Sequence, residues 1–373
     1  MSRPGFVSII LPVYNAAPFV AATVASLLDQ THREFEIIAV DDGSTDNSLV
    51  VLNDLARRDS RIRVFTKANG GSSSATNFGL AHAEGEFIAR MDADDLSYRT
   101  RLADELDLLS CSDDIALCST EVDYTFFKGK VFAGARRPRS PAEIRIENIF
   151  GTFHIHPTVV FDMRKLDRAA LYYDETYPVA EDFELLSRID LSHPTAILAE
   201  ARLLVRRQGH GSLSSRLSRK NPGHHFRVTM RQLAAAGIVD ADPALLALLS
   251  GGDRVEPGQL EPLAPWLARI GGHDGYRGAQ ADAYQRGLTN FTVNVIDALY
   301  NRAPTGPLRQ ILSRSGLDPY LSSFDRMRFS LGSGGAQGID RASGALRQLR
   351  RYIKSKPATA LSEQLGPEAL KGF

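Results

Sequence analysis

From Phe6 to Leu11 the chain reads FVSIIL, a continuous apolar run closed by Pro12, which predicts a strand buried on both faces. Pro18 to Gln30 then sets Val20, Val24, Leu27 and Leu28 at helical spacing. The alternation continues with a strand over Glu36–Val40, a helix over Asp46–Arg58 with Ser44 or Thr45 as its N-cap, and a strand over Arg61–Phe65. A helix over Ser73–Ala83, entered through Asn69-Gly70-Gly71, leads to a strand over Glu86–Met91. Strands alternating with helices of about a dozen residues predict a parallel sheet with right-handed crossovers. Open sheets of that kind bind ligands beyond the carboxyl ends of their strands. The polar clusters fall there: Tyr14-Asn15 after the first strand, Asp41-Asp42 after the second, and Asp92 to Asp95 after the fourth.

The next hundred residues are less regular. Ile115–Phe127 reads as a long strand with Gly129 in a hairpin turn, Thr158–Phe161 and Ala196–Val205 as further strands, and Ala180–Ile189 as a short helix. These elements make the sheet mixed and complete a first domain over 1–215. A Ser-, Gly- and Pro-rich linker, Gly209–Gly223, opens a second, mostly helical region over 216–373. The fold class expected is therefore α/β, a mainly parallel mixed sheet with flanking helices plus a helical C-terminal extension.

Composition narrows the class. With 373 residues, 43% hydrophobic and 24% charged, the chain has ordinary globular character and enough length to bury a large core without staples. Its two cysteines, Cys111 and Cys118, exclude a disulfide scaffold and fit no zinc knuckle. The strand-like opening gives no expectation of a signal peptide, and no apolar stretch reaches the ~18 residues of a membrane span, so a cytoplasmic location is expected. The net charge of zero hides an asymmetry: residues 1–215 hold 23 basic and 31 acidic side chains, residues 216–373 hold 21 and 13. An acidic front half suits a site that gathers carboxylates. A basic rear half suits an anionic partner or is simply a solvated surface.

Carboxylates gathered at one sheet edge are costly unless a cation joins them. All-oxygen ligands point to Mg²⁺ or Mn²⁺, which bind through one or two carboxylates plus substrate phosphates. An Asp-x-Asp alone says little; on the fourth strand of this alternation, with Asp41-Asp42-Gly43-Ser44 on the second, it marks a metal–diphosphate site. No dinucleotide fingerprint or P-loop is present.

These motifs carry a resemblance. VSIILPVYN (7–15), FEIIAVDDGSTDNS (35–48), NGGSSSATNFGLAHAEGEFIARMDADD (69–95), HPTVVF (156–161), AEDFELLSRI (180–189) and HGSLS (210–214), in this order, resemble the family 2 glycosyltransferases of GT-A fold, over a little more than half the chain. The resemblance implies an inverting, metal-dependent transfer of a sugar from a nucleotide-sugar, most simply a UDP-sugar, to a glycan or lipid-linked hydroxyl, with Mn²⁺ or Mg²⁺ as cofactor. It implies that Pro12 and Tyr14 wall the uracil, with Asn15 beside them, and that Asp42 accepts the ring N–H. Asp92 meets the ribose next to Ala93, Asp94 binds the metal, and Asp182 of the Glu181-Asp182 pair is the base. His210 assists the metal, His156 lies on the acceptor side, and Asn77 belongs to the donor segment.

Departures bear on the details. Many relatives have Arg where this chain has Thr76, so Lys67 is the expected source of that charge. A Gln-x-x-Arg-Trp signature is absent, since the lone tryptophan is Trp266, which argues against a processive polymer synthase. Arg206 to His210 matches the family loosely. The alternatives are a non-catalytic nucleotide- or glycan-binding scaffold and a sugar nucleotidyltransferase; the latter would open with a Gly-rich triphosphate loop, which LPVYNAAPF lacks. In the rear region, Leu346, Leu349 and Ile353 share a helical face flanked by Arg347, Arg350, Arg351, Lys354 and Lys356. Residues 342–356 could therefore rest on the cytoplasmic face of an inner membrane, or pack on the protein. The rest of 224–345 would shape the acceptor pocket or mediate homo-oligomer contact; nucleic acid is not an expected partner.

Overall fold

A computed structural model describes residues 3–126, 130–133, 139–206, 223–251, 253–299, 302–303 and 305–316. The linker, His210 and the basic segment 342–356 lie outside the described residues. The described residues of 1–141 and 154–212 form one compact unit, and those of 142–153 and 213–350 a second.

The first unit is built on strands β1 (Arg3–Val13), β2 (Phe35–Asp41), β3 (Ile62–Thr66), β4 (Gly85–Arg90), β5 (Leu96–Ser97), β6 (Leu117–Phe126), β7 (Lys130–Ala133), β8 (Val160–Asp162) and β9 (Thr195–Arg206). They form one sheet in the order β3-β2-β1-β4-β8-β6-β9-β5, with β7 paired to β6. β1 to β4 run parallel, β8 is antiparallel to both its neighbours, and β6 and β9 are again parallel. The helices are α1 (Val20–Leu28), α2 (Ser48–Arg58), α3 (Ser72–Ala81), α4 (Arg101–Ser110), α5 (Pro141–Glu147, mostly in the second unit) and α6 (Glu181–Asp190).

Alternation along the strands separates two cores. Val7, Ile9 and Leu11 of β1 and Ile37 and Ala39 of β2 face α1, α2 and α4 through Val24, Leu27, Leu52, Leu102 and Leu106. Ile10, Ile38 and Val40 face α3 and α6 through Ala75, Leu185, Leu186 and Ile189. Both faces of the parallel half are thus covered, which is why its strands read as unbroken apolar runs. Gly85 sits where β4 meets β1; a Cβ there would lie 2.5 Å from the Ser8 nitrogen and 2.6 Å from the Phe87 oxygen.

Two local expectations are corrected. The N-cap of α2 is Asn47, not Ser44 or Thr45. Asp46 instead accepts from the Ser48 N–H at 2.9 Å and the Ala17 N–H at 3.1 Å, tying α2 to the loop after β1. The strand expected over Thr158–Phe161 begins only at Val160, because His156–Thr158 forms a short 3₁₀ turn in which Pro157 fixes a turn-compatible φ.

In the second unit, Ile146, Ile149 and Phe150 join helices 223–235, 243–250, 257–260, 263–271, 279–299 and 305–314 around one core that includes Trp266, Tyr284 and Phe291. No helix among the described residues is long and apolar enough to cross a membrane.

Candidate active site

The site is built where β1, β2 and β4 end. Neighbouring strands lie about 4.8 Å apart, so the ends of β2 and β4, which flank β1, stand roughly 10 Å from each other. Asp42 continues β2 through its N–H to the Val13 oxygen, at 2.8 Å. Its carboxylate is buried and heavily engaged: Oδ1 accepts from Lys67 Nζ and from the Gly70 N–H, both at 2.9 Å, and Oδ2 accepts from the Gly71 N–H at 2.8 Å. Asp42 therefore folds the turn into α3, and Lys67 is its counter-ion. Asp41 takes weaker bonds on Oδ2, from the Ser44 N–H and Thr66 Oγ1 at 3.3 Å, while its buried Oδ1 has no partner among the described residues.

On the β1 side, Tyr14 is 51% exposed after the half-buried Pro12, an unusual setting for a large aromatic ring. Asn15 adopts φ 49° and its Oδ1 accepts from the Thr45 N–H at 2.8 Å, so it staples the first two strand-end loops together. Asn77 is used differently: its Nδ2 donates to the Tyr173 oxygen at 2.8 Å and its Oδ1 accepts from the Tyr173 N–H at 2.9 Å. That amide fixes the loop carrying Tyr173.

β4 delivers the Asp92–Asp94 turn. The Met91 N–H donates to the Ile10 oxygen, which carries the strand pairing to the edge of the turn. Thr23 Oγ1 on α1 donates to the Ala93 oxygen at 2.9 Å. Arg90 is the cation of this corner. Its buried guanidinium pairs with Asp92 Oδ1 at 2.8 Å and donates to the Met91 oxygen, and its Nε has no partner among the described residues. Asp92 and Asp94 are both half-buried.

The third side comes from later in the chain. β8 runs antiparallel to β4 with Val160 opposite Ala89, and the Arg90 N–H donates to the Val159 oxygen, so the turn before β8 meets the end of β4. That brings His156 to the same rim. Its Nε2 lies 2.7 Å from Tyr173 Oη. Removal from water, reinforced by Arg90, pushes the imidazole down to about 4 against the opposing pull of Asp182 and Asp92. His154, two residues earlier, belongs to a buried chain instead, with Ser119 Oγ at 2.7 Å and Thr195 Oγ1 at 3.0 Å.

α6 opens with Glu181 and Asp182. It is entered through Ala180 in the left-handed region, φ 64°, a conformation that costs an alanine about 1–2 kcal/mol. Burial first, and the adjacent Asp182 second, push Glu181 up to about 7. Asp182 Oδ1 accepts from the Phe183 N–H at 2.7 Å. Asp92, Asp182, Glu181, His156, Tyr173 and Arg90 thus form one electrostatically linked cluster, although up to 92 positions separate them in sequence.

No group of three or more His, Cys, Asp or Glu side chains among the described residues forms a ready metal cage. The donors present at the turn are carboxylate oxygens, which suit Mg²⁺ or Mn²⁺ completed by a substrate diphosphate and water rather than a dedicated protein cage. On that chemistry the residues present at the turn fit such an ion.

Sequence reasoning missed Arg90 and Tyr173. An arginine closing an otherwise apolar strand just before Asp-x-Asp is a visible signal for the first. Nothing local marks the second.

A mixed α/β sheet with this strand order and an acidic rim at its parallel ends is a GT-A glycosyltransferase fold. Residues 8–170 match the family described as glycosyl transferase family 2. The chain is 45% identical over 113 residues to an uncharacterized glycosyltransferase, EpsJ, of Bacillus subtilis, covering 28% of this chain and 33% of that protein. It is 28% identical over 224 residues to an uncharacterized glycosyltransferase of Haemophilus influenzae, covering 58% of this chain and 69% of that one. Among solved structures it resembles S. aureus TarS 1–349 in complex with UDP-GlcNAc, at TM-score 0.53 and 20% identity, over 84% of this chain and 89% of that one. The match spans only 16% of the length of a Rickettsia felis relative, against the third of EpsJ already noted.

Proposed function

We propose that this chain is an inverting glycosyltransferase that moves a sugar from a nucleotide-sugar, a UDP-sugar in the simplest case, to a hydroxyl of a glycan or lipid-linked acceptor. The observation that carries the reading is the meeting of Asp41-Asp42, Asp92-Asp94 and Glu181-Asp182 on one sheet edge, with His156 and Arg90 between the last two groups. The UDP-GlcNAc complex of TarS favours uridine over other bases for the donor.

Tyr14 and Pro12 would wall the base, and Asp42 with Asp41 Oδ1, which has no partner among the described residues, would supply carboxylate acceptors for a ring N–H. Asp92 would meet the ribose. A Mg²⁺ or Mn²⁺ ion held by Asp94 and the diphosphate would supply positive charge to the departing UDP. Asp182 would take the proton of the acceptor hydroxyl as its oxygen bonds to the anomeric carbon and the bond to the diphosphate oxygen breaks. Glu181, holding its proton up to about pH 7, is itself a poor nucleophile, which favours a single inverting displacement. His156, neutral above about pH 4, would accept or donate a hydrogen bond to the acceptor without adding charge.

A panel of UDP-, GDP- and dTDP-sugars with Mn²⁺, scored for hydrolysis and for thermal shift, tests the donor. Stabilisation by none of them overturns the reading, and binding without turnover would instead indicate a scaffold. Asp182→Asn should keep UDP binding and lose transfer; an unchanged rate removes it as the base. Asp94→Ala should lose metal-dependent turnover, and full activity with a chelator present overturns the metal role.

A further inference from the structure

Beneath the Asp92–Asp94 turn lies a charged pair that the proposed chemistry does not touch. Arg101, the first residue of α4, is completely buried, and so is Glu105 one turn later. Arg101 Nε donates to Glu105 Oε2 at 3.2 Å. Its other two nitrogens reach backward in sequence: Nη2 donates to the Arg90 oxygen at 2.8 Å, and Nη1 lies 3.3 Å from Met91 Sδ. The guanidinium thus grips the two residues directly before Asp92. On the other side of the turn, Thr23 holds the Ala93 oxygen. Gln30, also buried, accepts from the Leu102 N–H at 3.1 Å and donates to the Tyr98 oxygen at 2.8 Å, which locks the segment between the turn and α4.

We propose that Arg101, held by Glu105, is a positioning residue that sets the Arg90 carbonyl and the Met91 side chain and so aims Asp92 and Asp94 at the metal–diphosphate. The inference rests on the glycosyltransferase reading and deepens it. A buried ion pair adds little net stability over well-packed apolar side chains of similar volume, whereas breaking one partner leaves an uncompensated charge. Here burial pushes Glu105 up to about 8 despite the attraction of Arg101, and Glu105 Oε1 has no partner among the described residues. The pair is poorly suited to stabilise the fold for its own sake. The planar fork of arginine, by contrast, reaches a carboxylate, a carbonyl and a sulfur at once, which a lysine ammonium on a flexible stem cannot reproduce. Supporting contacts of this kind keep reactive groups within the small tolerances that binding and transfer require.

The test separates folding from aim. Arg101→Leu and Glu105→Leu should each lower the melting temperature, and the double variant should recover it, because neither a buried charge nor an unpaired buried carboxyl is left behind. UDP binding is then measured by calorimetry with and without Mn²⁺. The double variant should keep metal-free UDP binding through Asp41, Asp42 and Tyr14, weakened only by the Asp92 ribose contact, yet lose roughly tenfold or more of the gain that Mn²⁺ gives. Arg101→Lys, which keeps the charge opposite Glu105, should fold and show the same loss. A full Mn²⁺-dependent gain in either folded variant overturns the positioning role and leaves the pair as a structural element only. A wild-type chain that binds no UDP overturns the proposed function, and this inference with it.

Discussion

Asp42 is expected to be as important to folding as to any ligand. Replacing it with alanine removes a carboxylate that receives two backbone N–H groups and an ammonium within 2.9 Å. Hydrogen bonds to a charged group contribute about 1.5–3 kcal/mol each. The sum must be discounted, because Gly70 and Gly71 are exposed and can rebond to water, and the Lys67 side chain keeps 19% of its surface accessible. About 3 kcal/mol remains, which for a domain of this size corresponds to a fall in melting temperature of about 10 °C. Asp42→Asn keeps one acceptor and should lose about half as much. Differential scanning calorimetry of the two variants, beside UDP titration, reads both roles. A wild-type melting temperature for Asp42→Ala would refute the view that this side chain folds the turn into α3. Lowered stability with unchanged UDP affinity would keep the turn and remove Asp42 from the base pocket.

Acid should destabilise the fold through His154 and His156, whose imidazoles sit at about 3 and about 4 in the folded state. Their contribution is complete above the ordinary histidine value near 6.5 and is lost as pH falls toward 4, so thermal melts across that interval should steepen and flatten again in His154→Gln. Glu105 and Glu181 act in the opposite sense: at about 8 and about 7 they favour the fold fully below about 4.5 and lose that contribution as pH rises through those values. Melts of Glu105→Gln should show a weaker decline between pH 5 and 8, and an unaltered slope would count against its burial. Gly85→Ala should cost about 1–3 kcal/mol or prevent folding, since the clashing atoms are backbone; a wild-type denaturation midpoint would show that β1 and β4 are less closely apposed than described.

The parallel half of the sheet was legible because its strands are apolar on both faces and end in conspicuous acidic or glycine-rich turns. Phe35–Asp41 is buried at every position, so period and burial agreed. The GT-A fold followed from motif order and is the fold found. Local capping was not legible: Asp46 captured the Ser48 N–H that an isolated helix would have offered to Ser44 or Thr45, and it also holds the Ala17 N–H of the loop after β1. Tyr173 and the reach of Arg101 to the Arg90 carbonyl escaped notice for a common reason. Each acts through partners distant in sequence or through main-chain atoms, and neither kind of contact leaves a residue pattern. Asn77 stood in a matching segment, yet its amide is committed to the Tyr173 backbone, a pairing 96 positions apart.

Residues 142–153 have a practical consequence for anyone shortening the chain. Ile146, Ile149 and Phe150 are buried among side chains supplied after residue 223, with the Phe150 ring 5.2 Å from Tyr284 and 5.6 Å from Phe291. A truncation at 215 would strip that greasy patch of its cover and should yield aggregates, so a minimal catalytic fragment is better sought by trimming from the far end inward.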